Sequence, residues 1–330
     1  MVQFQNDEFS SIESDILSGL KTRKHSKFLN KKAIIDDTTL REGEQTPGVV
    51  FSVEDKVNIA RRLDEIGVQR IEAGFPAASQ GEMEAMKAIM KEGLETEILG
   101  FARAVKSDID AVVQCGCFGV MLSFPPSDIH LKYKLGISRE EYLARAVDCV
   151  EYAKDNGLYV TYSAEDSTRT ELSFLLKVFK TLIDRGIDCP RIVDTLGIGT
   201  PKTMSTYVSA VKELTSLPLE VHCHDDHGMA VANSIAAFEA GASVISTAVN
   251  GLGERAGIAP TEEVIMALHN LYGIHDFRTK GLYNLCKFVE KVSGIVIPAG
   301  KPVSGENVFC HVSGIHQAAI LKHTITYEPY

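Results

Sequence analysis

No apolar run in this 330-residue sequence approaches the ~20 residues that a membrane helix needs, so a bilayer-spanning role is not expected. Nor is there a run of Lys and Arg. The formal net charge is -10, and an acidic surface repels phosphate-rich polymers, which excludes nucleic acid from the expected partners. An anionic small substrate must therefore meet local cations or a metal. The opening stretch, MVQFQNDEFSSIESDILSGLKTRKHSKF, lacks the apolar centre of a secretory signal. Seven cysteines lie scattered at 115, 117, 149, 189, 223, 286 and 310, with no C-x-x-C among them. A disulfide framework is not expected, and a reducing cytoplasm is the expected compartment. The C-x-C of Cys115 and Cys117 reads as structural. Also missing after the first strand is the glycine fingerprint of an open, doubly wound sheet.

What the chain does show is alternation. KAIIDDT (32–38), VQRIEAGF (68–75), EILGFARA (97–104), GVMLSFP (119–125), LYVTYSAED (158–166), RIVDTLG (191–197), LEVHCHDD (219–226) and VISTAVNGLG (244–253) read as strands. Amphipathic helices are expected at 52–67, 79–93, 107–115, 138–156, 171–185, 201–215, 229–240 and 261–272. Ser52 and Asp55 suit the start of the first helix, and Gly67, Gly93, Gly157, Gly186 and Gly241 suit helix exits. Eight strand–helix units predict a closed (β/α)8 TIM barrel over residues 31–273. Residues 1–30 read as a polar helical leader. Residues 274–330 read as a C-terminal helical extension.

In such a barrel the chemistry sits at the C-terminal ends of the strands. The unusual polar residues fall there: Arg41, Glu42, Glu44 and Gln45, then Arg103, Glu165 with Asp166, Asp194 with Thr195, and Asn250. The stretch VHCHDDHGMA (221–230) ends the seventh strand. Residues i and i+2 of a strand share a face, so His222 and His224 aim at one spot, and His227 is expected to point elsewhere. Two imidazoles and one carboxylate satisfy a divalent metal and leave positions open for substrate. Glu42 is the expected carboxylate. Gln45 and Arg103 are candidates for substrate binding. Gly251 and Gly253 lie in NGLGERAG, whose backbone can approach a phosphate or a pantetheine chain.

Five ordered stretches carry a resemblance: DTTLREGEQ (37–45), YSAEDSTR (162–169), DTLGIGTP (194–201), HCHDDHGMAVA (222–232) and NGLGERAG (250–257). The chain resembles the metal-dependent barrels that join acetyl-CoA to 2-oxo acids, namely isopropylmalate, homocitrate and citramalate synthases. Hydroxymethylglutaryl-CoA lyase is a relative of that group. The resemblance implies Glu42, His222 and His224 as ligands of a divalent metal (Zn, Mg or Mn), with Asn250 at or beside it. It implies that Arg41 holds the substrate oxygen and developing enolate charge, that Thr195 binds the 2-oxo acid carboxylate, and that Glu165 belongs to the acid/base machinery. HVSGIHQAAILKHTITYEPY (311–330) resembles a segment that crosses to a partner, so His316 and Tyr327 are expected in a neighbour's site and a homodimer with shared active sites is implied.

Two departures bear on substrate and regulation. Met121 stands where the isopropylmalate type usually has histidine, and no arginine matches the one homocitrate synthases use for a distal carboxylate. Met121, Leu122 and Phe124 suggest an apolar or small side chain on the acceptor, with an aromatic acceptor as an alternative. Feedback-regulated members carry a further domain, so a shortened or unregulated chain is expected. A lyase and a non-catalytic barrel are the competing readings. GERAG and SGIHQ follow the synthase pattern, and no lyase-type cysteine follows strand eight.

Overall fold

The computed structural model describes residues 31–323, 326 and 327; the expected leader helix lies outside the described residues. Eight parallel strands close on themselves in sequence order: β1 Ile34–Asp37, β2 Arg70–Glu72, β3 Glu97–Arg103, β4 Gly119–Ser123, β5 Tyr159–Ala164, β6 Cys189–Asp194, β7 Glu220–Cys223 and β8 Val244–Thr247. β1 pairs with both β2 and β8, so no edge is left. The surrounding helices are α1 Val53–Ile66, α2 Gln80–Met90, α3 Lys106–Cys115, α4 Arg139–Asp155, α5 Leu172–Ile183, α6 Pro201–Lys212, α7 Ala230–Ala240 and α8 Thr261–Tyr272.

Local chemistry explains the boundaries. Ser52 accepts from the Asp55 amide while the Asp55 carboxylate accepts from the Ser52 amide, a reciprocal cap that stabilises α1 by ~1 kcal/mol. Gly67 ends the helix in the left-handed region with φ 85°. Between these ends, Ile59, Ala60, Leu63 and Ile66 are buried at helical spacing.

The strands alternate with period two in an unexpected sense. Ile35, Ile71, Ile192, Val221 and Ile245 are fully buried in the apolar core. The intervening Asp36, Glu72, Arg191, Glu220 and Ser246 are buried too. Arg191 donates to Glu72 at 2.9 Å and lies 3.3 Å from Glu220. Arg191 is paired with Glu72 and Glu220, which offsets the cost of burying those charges, whereas the Asp36 carboxyl has no hydrogen-bond partner among the described residues. Burial first, then the nearby Glu220 and Glu72 charges, push Asp36 well above the usual carboxylate range. Glu72 stays below it, because Arg41 and Arg191 outweigh its burial.

The expected boundary at 273/274 does not separate two cores. Helix α9, Leu282–Ser293, contributes Leu282, Leu285, Cys286 and Val289 to the same apolar core as the barrel. Beyond it a loop with one short 3-10 turn, Glu306–Phe309, leads to the last helix among the described residues, α10, Gly314–Ile320, none of whose residues is buried.

Candidate active site

The turn after β1 brings the first site residues inward. The Thr38 carbonyl accepts from the amides of Arg41 and Glu42 at 3.1 and 2.8 Å, and Thr39 Oγ1 accepts from the Val249 amide at 2.8 Å. That turn is thereby pinned to the loop after β8. It delivers Arg41, Glu42 and Gln45 to a cleft of about 270 Å³ at the C-terminal ends of the strands. The other walls come from Phe101 and Met121, which pair in register on β3 and β4, and from Ser163, Glu165, Val193, Thr195, His222, His224 and Glu254.

At the cleft floor, ligand atoms of Glu42, His222 and His224 all lie within 4.8 Å of one another. The two imidazole Nε2 atoms are 3.3 Å apart, and His224 Nε2 is 3.9 Å from Glu42 Oε1. On its other side, His222 Nδ1 meets Arg191 Nη2 at 2.7 Å and Ser246 Oγ at 2.9 Å, which fixes the ring plane. Burial, then the Arg191 charge, holds His222 well below the usual imidazole range. Burial lowers His224 as well, although the Glu42 charge opposes it. Two neutral imidazoles and one carboxylate fit a divalent cation. Arg41 donates from Nε to Glu72 and from Nη1 to Glu42, with its guanidinium 5.2 Å from the Phe101 ring centre. Thr195 Oγ1 accepts from the Asp166 amide at 2.8 Å, which leaves its own proton to donate elsewhere.

This polar floor, carried by β1, β6 and β7 of a closed barrel, coincides with a sequence match: residues 32–290 match the HMGL-like family. The chain belongs to the HMGL-like family. Within it, the chain is 54% identical to a homocitrate synthase of Methanopyrus kandleri, over 91% of this chain and 76% of that one. It is 47% identical to a 2-isopropylmalate synthase of Methanocaldococcus jannaschii, over 90% of this chain and 58% of that one. It thus spans under three fifths of the latter's length. In fold it is similar to a hydroxymethylglutaryl-CoA lyase from Pseudomonas aeruginosa, with a TM-score of 0.74 at 21% identity, covering 89% of this chain and 99% of that one.

Four expected residues of this HMGL-like chain lie away from the cleft. Arg103 turns outward: Asp108 at the start of α3 takes its guanidinium in two bonds of 2.7 and 3.1 Å, and both line a separate groove. Asn250 adopts a left-handed backbone, φ 61°, and its side-chain Nδ2 donates to the Cys286 carbonyl of α9 at 2.9 Å. His316 and Tyr327 stack on each other in the tail, ring centres 4.1 Å apart, and neither lines this chain's own cleft. Gly253 does approach the floor, while Gly251 packs against the Ile258 carbonyl and Pro260. A Cβ on Gly253 would meet Glu42 Cγ at 3.3 Å, so the loop approaches the carboxylate because glycine is there. His227 points away, as its odd spacing predicts, and meets the Gly197 carbonyl at 2.8 Å.

Glu72, Arg191 and Lys134 were missed. Lys134 lies on a single wide helical turn, Leu131–Leu135, and reaches Glu165 at 2.7 Å, with His130 Nδ1 3.5 Å from the same carboxylate. Such turns often mark functional sites. For Arg191 the available signal was a charged residue in the interior of a strand whose only other charge, Asp194, stands at its end.

Among the described residues, no helix is long and apolar enough to cross a membrane. All the described cysteines are free, and only Cys310 is exposed.

Proposed function

We propose that this chain condenses acetyl-CoA with a 2-oxo acid and releases CoA, giving a 2-alkylmalate. The observation that carries the reading is the convergence of Arg41 on the Glu42, His222 and His224 cluster in one cleft. When bound by those three residues, a divalent cation would supply Lewis-acid polarisation of the ketone. Thr195 would donate to the acceptor carboxylate. A base takes a proton from the acetyl methyl group, the methyl carbon bonds to the ketone carbon, and the ketone oxygen gains the negative charge. Arg41 faces that charge with a permanently protonated guanidinium, whose positive form Glu72 and Glu42 stabilise against burial. Protonation of the alkoxide and attack of water on the thioester then free the CoA thiol.

The acceptor side chain would be short and apolar. Phe101, Met121 and Val193 line the cleft, while its lining cations are engaged by carboxylates: Arg41 by Glu42 and Glu72, Arg191 by Glu72, and Lys134 by Glu165. A homocitrate-type acceptor would need a cation for its second carboxylate, and half-exposed Lys134 would have to leave Glu165 to serve it. Thiol release from acetyl-CoA separates these readings. Acceptors with isopropyl or methyl side chains should be turned over, and one with a carboxyethyl side chain should not. Thiol release with none of them would overturn the condensation reading.

The proposed active unit is a homodimer in which His316 and Tyr327 serve the neighbour's cleft, His316 as the base and Glu165 as its partner. Supporting it, α10 carries His316 on a helix with no buried residue, as expected of a segment made to be covered. Mixing inactive His316→Ala with inactive Glu42→Ala should restore activity, since one site of each mixed dimer then carries neither defect. Persistent inactivity in demonstrated mixed dimers would confine His316 to its own chain.

A further inference from the structure

Arg255 joins the loops that follow β6, β7 and β8. Its Nε and Nη2 donate to the two Asp226 carboxylate oxygens at 2.8 and 2.9 Å, and Nη2 also donates to the Thr195 carbonyl at 2.6 Å. A planar fork can serve these acceptors together, whereas an ammonium on a flexible stem cannot. The backbone at Arg255 is left-handed, φ 57°, which is uncommon for a residue with a side chain and persists where the surroundings dictate it.

The same loop is tied on its other side. The Glu254 amide points at Glu42 Oε1 from 3.3 Å, and Gly253 exchanges two hydrogen bonds with the Thr46 hydroxyl, at 2.8 and 3.1 Å. The Asp225 amide donates to the Gly257 carbonyl at 3.0 Å. Gly197, two residues beyond Thr195, packs so close to Asp226 that a Cβ would lie 2.8 Å from the Asp226 amide nitrogen. Acceptor-binding and metal-binding groups thus hang from loops that share one ionic clasp at the rim.

We infer that Arg255 is a positioning residue. It locks the three loops into one unit and so sets Thr195, which would hold the 2-oxo acid, against His224 and Glu42, which would hold the metal. The inference rests on the reading of Glu42, His222 and His224 as ligands. Arg255 itself lies at the rim, 37% exposed, and is not among the residues lining the cleft.

The test compares Arg255→Met, Arg255→Lys and Asp226→Asn with the unaltered chain. Metal-stripped protein is titrated with Mn²⁺ in the absence of substrates, and steady-state rates are measured against the 2-oxo acid. Arg255→Met should weaken Mn²⁺ binding by about tenfold, the low end of the range for losing an outer partner of a metal site, because Arg255 reaches the ligands only through the loops. It should also raise KM for the 2-oxo acid more than it lowers kcat, because Thr195 loses its setting while Arg41 does not. Arg255→Lys should recover only part of the affinity. Adding Asp226→Asn to Arg255→Met should cost nothing further, since the two act through one contact. Unchanged Mn²⁺ affinity and KM in Arg255→Met would overturn the inference, as would changes that disappear once scaled to the folded fraction. Should Arg255→Met fail to fold, Asp226→Asn reads the same two quantities with the shape of the loop kept. If the unaltered chain takes up no Mn²⁺, the ligand reading fails first, and KM alone then decides whether Arg255 sets Thr195.

Discussion

His222→Ala is expected to stay folded, to lose its metal and to lose turnover by about 10³-fold or more, the equivalent of several kcal/mol of charge stabilisation at the ketone. The ring is buried, yet its removal strands no charge. Arg191 keeps its bond to Glu72 at 2.9 Å and to Ser246 at 2.9 Å, so the interior ion pairs survive. His224→Ala should behave alike. His224 Nδ1 has no protein partner, so truncation removes only the Nε2 contacts to His222 and Glu42 within the cluster, while the backbone of residue 224 still bridges to Ile258. Elemental analysis and circular dichroism on purified protein check both halves of the expectation. Full metal occupancy in either variant would remove the cluster from the chemistry.

Arg41→Lys is expected to keep the metal and to bind the acceptor, and to lose about 10²- to 10³-fold in kcat, the range measured for removing one preorganised donor from an oxyanion site. The guanidinium is held as a fork, Nε on Glu72 and Nη1 on Glu42, and it lies over Phe101. Lysine supplies a charge, but one ammonium cannot span both carboxylates while presenting a donor to the reacting oxygen. Rapid-quench measurement of C–C bond formation isolates the step. A rate near that of the unaltered chain would take Arg41 out of the reaction.

The strand–helix alternation made the barrel legible from the residues alone, because eight apolar runs separated by capped amphipathic helices admit few other closures. The metal-type cluster was legible for a related reason: two histidines at strand spacing must share a face. The interior ions were not. Glu72 and Arg191 sit in short strands that also carry Arg70 and Asp194, so charge alone does not single them out, and only closure of the sheet shows that β2 and β6 face each other across the barrel. Arg103 shows the opposite failure. Strand spacing puts it on the same side as Phe101, but Asp108, five residues on, captures it at the strand's end. Asn250 gives its side-chain amide to the Cys286 carbonyl of α9, a partner that a spacing pattern does not record. The tail residues His316 and Tyr327 could be placed in a site only by resemblance, since no periodicity in one chain speaks of a second.

Phe101 and Met121 face each other in register on β3 and β4 and both line the cleft, yet they are unequal in what they can become. Met121 does nothing further for the catalytic floor among the contacts described. A change there alters the room available to the acceptor and little else. Phe101 also carries the Arg41 guanidinium on its ring, so a new side chain at that position would redraw the cleft and unsettle the charge that the proposed reaction would use. Descent with altered diet should therefore run through position 121 first. Substitutions at 101 should follow only where a second residue has taken over support of Arg41, an order of events that reconstructed ancestral sequences can record.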